Sequence, residues 1–156
     1  MLQEVMEYIH NYFIYRPNPG TYKIEGGVIS PLPAFLEGQR IWIVGSVLND
    51  GVYTFHADGI RDDDDKNAAG LQDETFAGTI CALAVPPAVI ALSEEISQWV
   101  DDNSDAISSP FASESFNGYS YSLKTGNAAG GGDSAGQIGW QNIFGKRLER
   151  WRKLCL

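Results

Sequence analysis

Two histidines and a run of four aspartates are the residues whose types could support chemistry in this sequence. Histidine can transfer a proton or bind a metal near neutral pH, and the two present are His10 and His56. Neither belongs to a recognisable pattern of metal ligands. We therefore interpret both as ordinary surface or boundary histidines, with a catalytic or ligand role as the alternative.

The acidic run invites comparison with a calcium-binding loop. Calcium loops alternate their ligands with spacer residues and close with a distant glutamate. Four consecutive carboxylates instead point in different directions and repel one another. Because burying them would carry a large desolvation cost, we predict that Asp62, Asp63, Asp64 and Asp65 form a solvent-exposed, mobile loop. A cation site is the alternative.

A glycine-rich segment and a glutamate pair are the remaining features that approach catalytic motifs. Residues 126–136 read GNAAGGGDSAG, without the Gly-Lys-Ser/Thr ending of a phosphate-binding loop. Their composition is typical of a flexible linker. Glu94 and Glu95 are neighbours on a predicted helix, so their side chains diverge and cannot face each other across a cleft. The sequence therefore predicts no catalytic site, no metal site and no cofactor.

Hydrophobic periodicity predicts the elements that position these residues. Apolar residues recur at helical spacing over 2–15 and again over 86–102, which predicts a helix in each range. Short β-rich runs separated by turn residues fill the insertion 20–84. We predict that 1–110 is a core domain of the α+β class, in which the helices flank a small β-barrel or curled antiparallel sheet.

An extended arm and the glycine-rich linker are predicted to follow the core domain over 111–139. Large aromatic side chains stand there among small polar ones, a composition common at interfaces. Residues 119–123 also alternate at strand period. We predict that the arm pairs with a neighbouring subunit through Phe116, Tyr119 and Tyr121. An edge strand within its own domain is the alternative.

Charge is distributed unevenly along the chain. The last 17 residues, 140–156, contain five basic residues against Glu149 alone, a net charge of +4. Because the whole chain carries −9, the remainder carries −13, which argues against nucleic-acid binding through the body. We predict that 140–156 is a tethered basic amphipathic helix that binds a partner. The predicted contact residues are Trp140, Phe144, Lys146, Arg147, Arg150, Trp151, Arg152 and Lys153. A helix that packs back on its own domain is the alternative.

Four segments resemble virion proteins encoded by phages and prophages of Gram-positive gut bacteria. They read IWIVGSVLNDGVYTF, DETFAGTICALAVPPAVIALSEEISQW, SPFASESFNGYSYS and GWQNIFGKRLERWRKL. The third segment, followed by the basic end, also resembles the head–tail connector (adaptor) proteins of siphophages. That resemblance implies a ring, typically of twelve copies, whose C-terminal segments bind the portal protein. The chain departs from the adaptors by its β-rich insertion, and a small barrel is also typical of the stopper protein.

The resulting interpretation is a structural protein of the phage neck, not an enzyme: an adaptor ring that docks on the portal and prolongs the DNA channel. Expected partners are the portal, neighbouring copies of itself, and stopper or tail proteins. DNA would pass without specific binding, with Asp62–Asp65 facing the channel.

The expected location is the virion neck, after synthesis in the host cytoplasm. Cys81 and Cys155 lie far apart, and no signal peptide is evident. No membrane association is expected. The first alternative is another particle protein, such as a stopper, tail terminator or head decoration protein. The second is a small binding module or a hydrolase.

Overall fold

A six-stranded antiparallel sheet, nearly closed into a barrel, organises the fold. The computed structural model describes residues 1–65, 68–104, 113–116, 119–122 and 139–154. The sheet contains β1 (Ile14–Glu25), β2 (Val28–Ser30), β3 (Arg40–Val44), β4 (Gly51–His56), β5 (Gly59–Arg61) and β6 (Glu74–Leu83). Its order is β2-β1-β6-β3-β4-β5, and each neighbouring pair is antiparallel. The predicted α+β class with a small curled sheet is confirmed.

Helices from the two ends of the chain and from its middle pack on this sheet. They are α1 (Leu2–Tyr8), α2 (Pro87–Asp102) and α3 (Trp140–Leu148), the last continued by a 3-10 helix at Glu149–Trp151. Pro87 occupies the first turn of α2, where its missing amide hydrogen removes no intrahelical hydrogen bond. Apolar residues at i, i+3 and i+4 spacing then turn one face of α2 to the core: Val89, Leu92, Ile96 and Trp99.

Strands β3 and β6 show how the sheet separates two hydrophobic cores. Ile41 and Ile43 on β3 belong to an inner cluster together with Ile80 on β6. Trp42, which lies between the two isoleucines, packs against an outer cluster that includes Cys81. Since successive side chains of a strand point to opposite faces, the inner cluster lies inside the curled sheet. The outer cluster lies between the sheet and the three helices.

Helix α1 is shorter than the predicted range of 2–15. It ends at Tyr8, and the backbone then takes positive φ angles of 53° at both His10 and Phe13. The side chain of Asn11 stabilises this turn by accepting a hydrogen bond from the Phe13 amide at 3.0 Å. Phe13 packs against the outer cluster from the turn rather than from a helix. Its helical spacing therefore indicated the right face but the wrong backbone conformation.

Strand β1 begins at Ile14, before the predicted β-rich insertion 20–84, and runs through the Pro17-Asn18-Pro19-Gly20 sequence. Residues 14–24 pair with β6, whereas β2 pairs only with residues 23–25. The first part of β1 is therefore a sheet edge. Proline is tolerated on an edge because its missing N–H can face away from the neighbouring strand. The same prolines make this edge a poor template for pairing with another chain.

A separate two-stranded sheet lies in the segment predicted to be the arm. It consists of β7 (Ser113–Phe116) and β8 (Tyr119–Ser122), with Phe116 opposite Tyr119 in the register. The extended backbone agrees with the strand-period alternation. Pairing of this arm with a neighbouring subunit through Phe116, Tyr119 and Tyr121 stays a prediction. The glycine-rich linker at 126–136 falls outside the described residues.

The close approach of β3 and β6 yields a stability prediction. A Cβ atom added at Gly78 would overlap the carbonyl oxygen of Val44. Gly78→Ala should therefore lower the free energy of unfolding by about 1–3 kcal/mol, because backbone strands must separate to admit the methyl group. Gly70→Ala is the matched control, since a Cβ at Gly70 meets nothing within 4 Å. Urea titration of both variants measures the difference, and equal stability would contradict the prediction.

Candidate partner-binding surface

The C-terminal helix α3 is the element that sequence patterns connected most directly with a partner. Its side chains Trp140, Phe144 and Leu148 are buried, with exposed fractions of 7%, 5% and 0%. All three belong to the outer cluster with residues of α1 and α2. Trp99 of α2 meets Phe144 edge to face, with ring centroids 6.1 Å apart. The helix therefore packs on its own domain.

This packing corrects the prediction for two of the expected partner contacts. Trp140 and Phe144 cannot serve as anchors in a partner protein while they fill the outer core. The physical reason is that α1 and α2 leave an apolar surface on the sheet that needs a third helix to cover it. Trp151 is only partly buried and keeps part of its indole at the surface.

Two hydrogen bonds fix the end of the chain to the turn that follows α1. The amide side chain of Asn11 donates to the carbonyl oxygen of Trp151 at 2.9 Å. The backbone amide of Lys153 donates to the carbonyl oxygen of Ile9, also at 2.9 Å. At the other end of the helix, Tyr8 meets the Trp140 ring edge to face at 5.2 Å. These contacts hold the C-terminal segment in one position.

All five predicted basic contact residues are exposed on this fixed segment: Lys146, Arg147, Arg150, Arg152 and Lys153. Arg147 forms a bidentate ion pair with Glu95 of α2, in which its two Nη atoms lie 2.6 and 2.7 Å from the carboxylate oxygens. The hydrogen bond from Arg147 holds the pKa of Glu95 below its ordinary value. The Arg150 guanidinium lies 3.8 Å above the Trp151 ring. Contacts within the domain thus position the guanidinium groups of Arg147 and Arg150. We call these five residues the cationic surface.

The acidic loop lies on the connection from β5 to β6. Asp63, Asp64 and Asp65 are exposed, and Asp62 is half-buried. The carboxylate of Asp62 accepts hydrogen bonds from the amides of Asp64 and Asp65 at 2.9 and 3.2 Å. Asp64 also pairs with Arg40 of β3 at 3.3 Å. The carboxylates thus find separate partners within the domain instead of converging on one point.

His56 connects this loop to the segment before β3. Its Nδ1 lies 2.9 Å from a carboxylate oxygen of Glu37, and its Nε2 lies 2.9 Å from one of Asp63. Carboxylates only accept hydrogen bonds, so both contacts are made together only by the protonated imidazolium. These hydrogen bonds raise the pKa of His56. Both ring nitrogens of His56 are thus engaged, and we call this bridge between Glu37 and Asp63 the His56 clamp.

The carboxylate of Glu74 on β6 organises the loop between β3 and β4. It accepts hydrogen bonds from the Ser46 hydroxyl, from the Val47 amide at 2.9 Å and from the Asn49 side chain at 3.1 Å. The bond from Ser46 is the main cause of a lowered pKa at Glu74. Glu74 is not part of any local sequence pattern, since its partners lie more than twenty positions away along the chain. The loop presents Val47 with 89% of its surface exposed.

Within the ranges that the structure describes, no three His, Cys, Asp or Glu side chains are grouped so that they could hold a metal ion. No helix in those ranges is long and apolar enough to cross a membrane.

One motif outside the described residues was not among the predicted sites. Residues 132–136 read GDSAG, which has the Gly-x-Ser-x-Gly spacing of a nucleophile elbow. An elbow requires an apolar strand before the serine, whereas the preceding residues are glycine and alanine. The spacing arises readily in a segment so rich in glycine, and we assign it no role.

Comparison of the chain with models of protein families, with curated proteins and with solved structures finds no match.

The packing of α3 yields a prediction that separates a docked helix from a tethered one. Leu148→Ala should lower the free energy of unfolding by about 2–5 kcal/mol, because a fully buried leucine leaves a cavity in the outer core. Lys146→Ala, two positions earlier on the exposed face of the same helix, should change the free energy of unfolding by less than about 0.5 kcal/mol. Chemical denaturation followed by tryptophan fluorescence measures both. A tethered helix would show no difference between the two variants.

The His56 clamp yields a prediction on pH. A pKa raised in the folded state above the ordinary 6.5 means that the clamp stabilises the fold fully below that value. This contribution is lost as the pH rises through the folded-state pKa. The free-energy difference between wild type and His56→Gln should therefore be largest below pH 6.5 and shrink as the pH rises above it, through the folded-state pKa.

Denaturant titrations at several pH values measure this difference. Glu37→Gln should reduce the same pH dependence, because it removes one of the two charged acceptors. Glu94→Gln, which changes an exposed residue of α2, controls for the loss of one surface carboxylate. A difference between wild type and His56→Gln that stays constant with pH would contradict the clamp.

Proposed function

We propose that this protein is a structural component of a tailed-phage particle, an adaptor of the neck that docks on the portal protein through its cationic surface. The observation that carries the proposal is a fixed, exposed group of five basic side chains on a chain that is otherwise strongly acidic. The sequence resemblance to head–tail connectors supplies the portal as the partner.

The geometry supports an interface role more than a catalytic one. Arg147 and Arg150 are held by an ion pair and by ring stacking, and Arg152 lies 4.8 Å above the ring of Tyr8. Arginine and tryptophan are enriched among the few interface residues that contribute most of the binding energy. The rest of the protein is acidic and would be repelled by an acidic partner surface. This repulsion would favour the orientation in which the cationic surface faces the partner.

A ring of about twelve copies is part of the same proposal. Two apolar or extended features are suited to contacts between copies: the predicted arm at 113–122 and the exposed Val47-Leu48 tip. The acidic loop Asp62–Asp65 would face the channel, where negative charge prevents DNA from adhering to the wall. Another particle protein, such as a stopper, tail terminator or head decoration protein, is the alternative within the same class.

Charge reversal in the phage tests the docking step. A triple variant with Lys146→Glu, Arg150→Glu and Arg152→Glu should fold, because these side chains are exposed. It should leave heads that do not join tails and lower the infectious titre by at least about a hundredfold, as several interface charges become repulsive. Electron microscopy of lysates and plaque counts measure the outcome.

Lys23→Glu, an exposed lysine on β1 beside Glu25, is the matched control and should assemble normally. Mass analysis of purified particles gives the copy number, and about twelve copies per particle favours the neck over head decoration. Normal joining by the triple variant would contradict docking through the cationic surface. Absence of the protein from purified particles would contradict the proposal as a whole.

A further inference from the structure

A groove between α2 and the C-terminal segment lies beside the cationic surface. It has a volume of about 580 Å³ and is lined from the side of α2 by Ala88, Ala91 and Leu92. Lys146, Arg150 and Trp151 line it from the other side. The ion pair of Glu95 and Arg147 closes one end, since both residues also line a second depression of about 370 Å³ next to it.

The floor of the groove is apolar. Ala88 and Ala91 are exposed, and their small side chains create the depression between the helices. Trp151 on the other side is half-buried, and the Arg150 guanidinium lies over one face of its ring. Together they offer an apolar floor that could take an aliphatic side chain. The charged side chains around this floor indicate which class of partner segment it would bind.

The rim of the groove is positive. Within the part of the chain that the structure describes, neither Lys146 nor Arg150 forms an ion pair, whereas Arg147 is neutralised by Glu95. Ala88 belongs to the first turn of α2, where the helix dipole is positive and no acidic residue offsets it. An occupant that satisfies this rim carries carboxylates beside its apolar residue that reach Lys146 and Arg150 on the C-terminal side of the groove.

We propose that the groove between α2 and the C-terminal segment is the seat of an acidic partner segment, with an aliphatic side chain between Ala91 and Trp151 and carboxylates on Lys146 and Arg150. The inference rests on the proposed docking function and makes it more specific. The rim residues draw the segment in, and the floor selects it from other acidic surfaces. Acidic surfaces without an aliphatic residue would bind more weakly.

A synthetic peptide tests this inference on the full chain. The probe is a fluorescein-labelled peptide of glutamates with leucine at every fourth position, and fluorescence anisotropy measures its binding. Ala91→Trp fills the groove without a change of charge and should weaken binding by about tenfold or more. Lys146→Glu combined with Arg150→Glu should weaken it by at least as much. Ala57→Trp, in the exposed turn between β4 and β5, is the matched control and should bind within about twofold of wild type.

Three outcomes would overturn the inference. The first is no saturable binding of the peptide at concentrations up to about 1 mM, the weak limit of specific recognition. The second is equal binding by Ala91→Trp and wild type, which would leave charge alone as the cause. The third is tighter, salt-sensitive binding of a DNA duplex than of the peptide, which would make the cationic surface a nucleic-acid site.

The peptide result is independent of the result for the proposed function. If the peptide does not bind but the charge-reversed phage still fails to join heads and tails, docking stands and the groove is not its seat. If the peptide binds in the groove but the charge-reversed phage assembles normally, the groove takes an acidic partner other than the portal, and docking through the cationic surface is contradicted.

Discussion

Strand β6 is the constraint on which the rest of the structure depends. It pairs with β1 on one side and with β3 on the other, and its side chains enter both cores. Ile80 is fully buried in the inner cluster, while Cys81 and Leu83 are buried in the outer one. A strand that is buried on both faces requires a layer on each side. The curling of the sheet supplies one layer, and the three helices supply the other.

The outer layer explains why the two ends of the chain meet. Helix α1 is short, and α2 covers only part of the sheet, so a third helix is needed to exclude water from the outer core. Helix α3 covers this part of the outer core, and its Leu148 side chain is fully buried there. The backbone hydrogen bond from Lys153 to Ile9 then joins the C-terminal segment to the N-terminal turn. The cationic surface is consequently part of the folded domain, and its orientation is set by the outer core.

Carboxylates organise the loops that connect the strands of the sheet. Glu74 orders the β3–β4 loop, and Glu37 and Asp63 join two segments through His56. Arg40 adds a link from β3 to Asp64. In an acidic chain these pairings relieve repulsion locally, because each buried or half-buried carboxylate obtains its own donors. The strongly negative body is therefore compatible with well-ordered loops.

Composition and periodicity by themselves determined the class of the fold, the position of α2 and the separation of charge between the body and the C-terminal segment. These properties follow from local spacing, which turns Val89, Leu92 and Ile96 to one side whatever the helix packs against. Exposure of the basic side chains also follows from sequence, since lysine and arginine are rarely buried without partners. Only the tertiary structure decided that Trp140 and Phe144 fill the core, that Pro17 and Pro19 lie in an edge strand, and that His56 bridges Glu37 and Asp63. Each of these depends on which surface a distant segment leaves uncovered, and local periodicity carries no information about that surface.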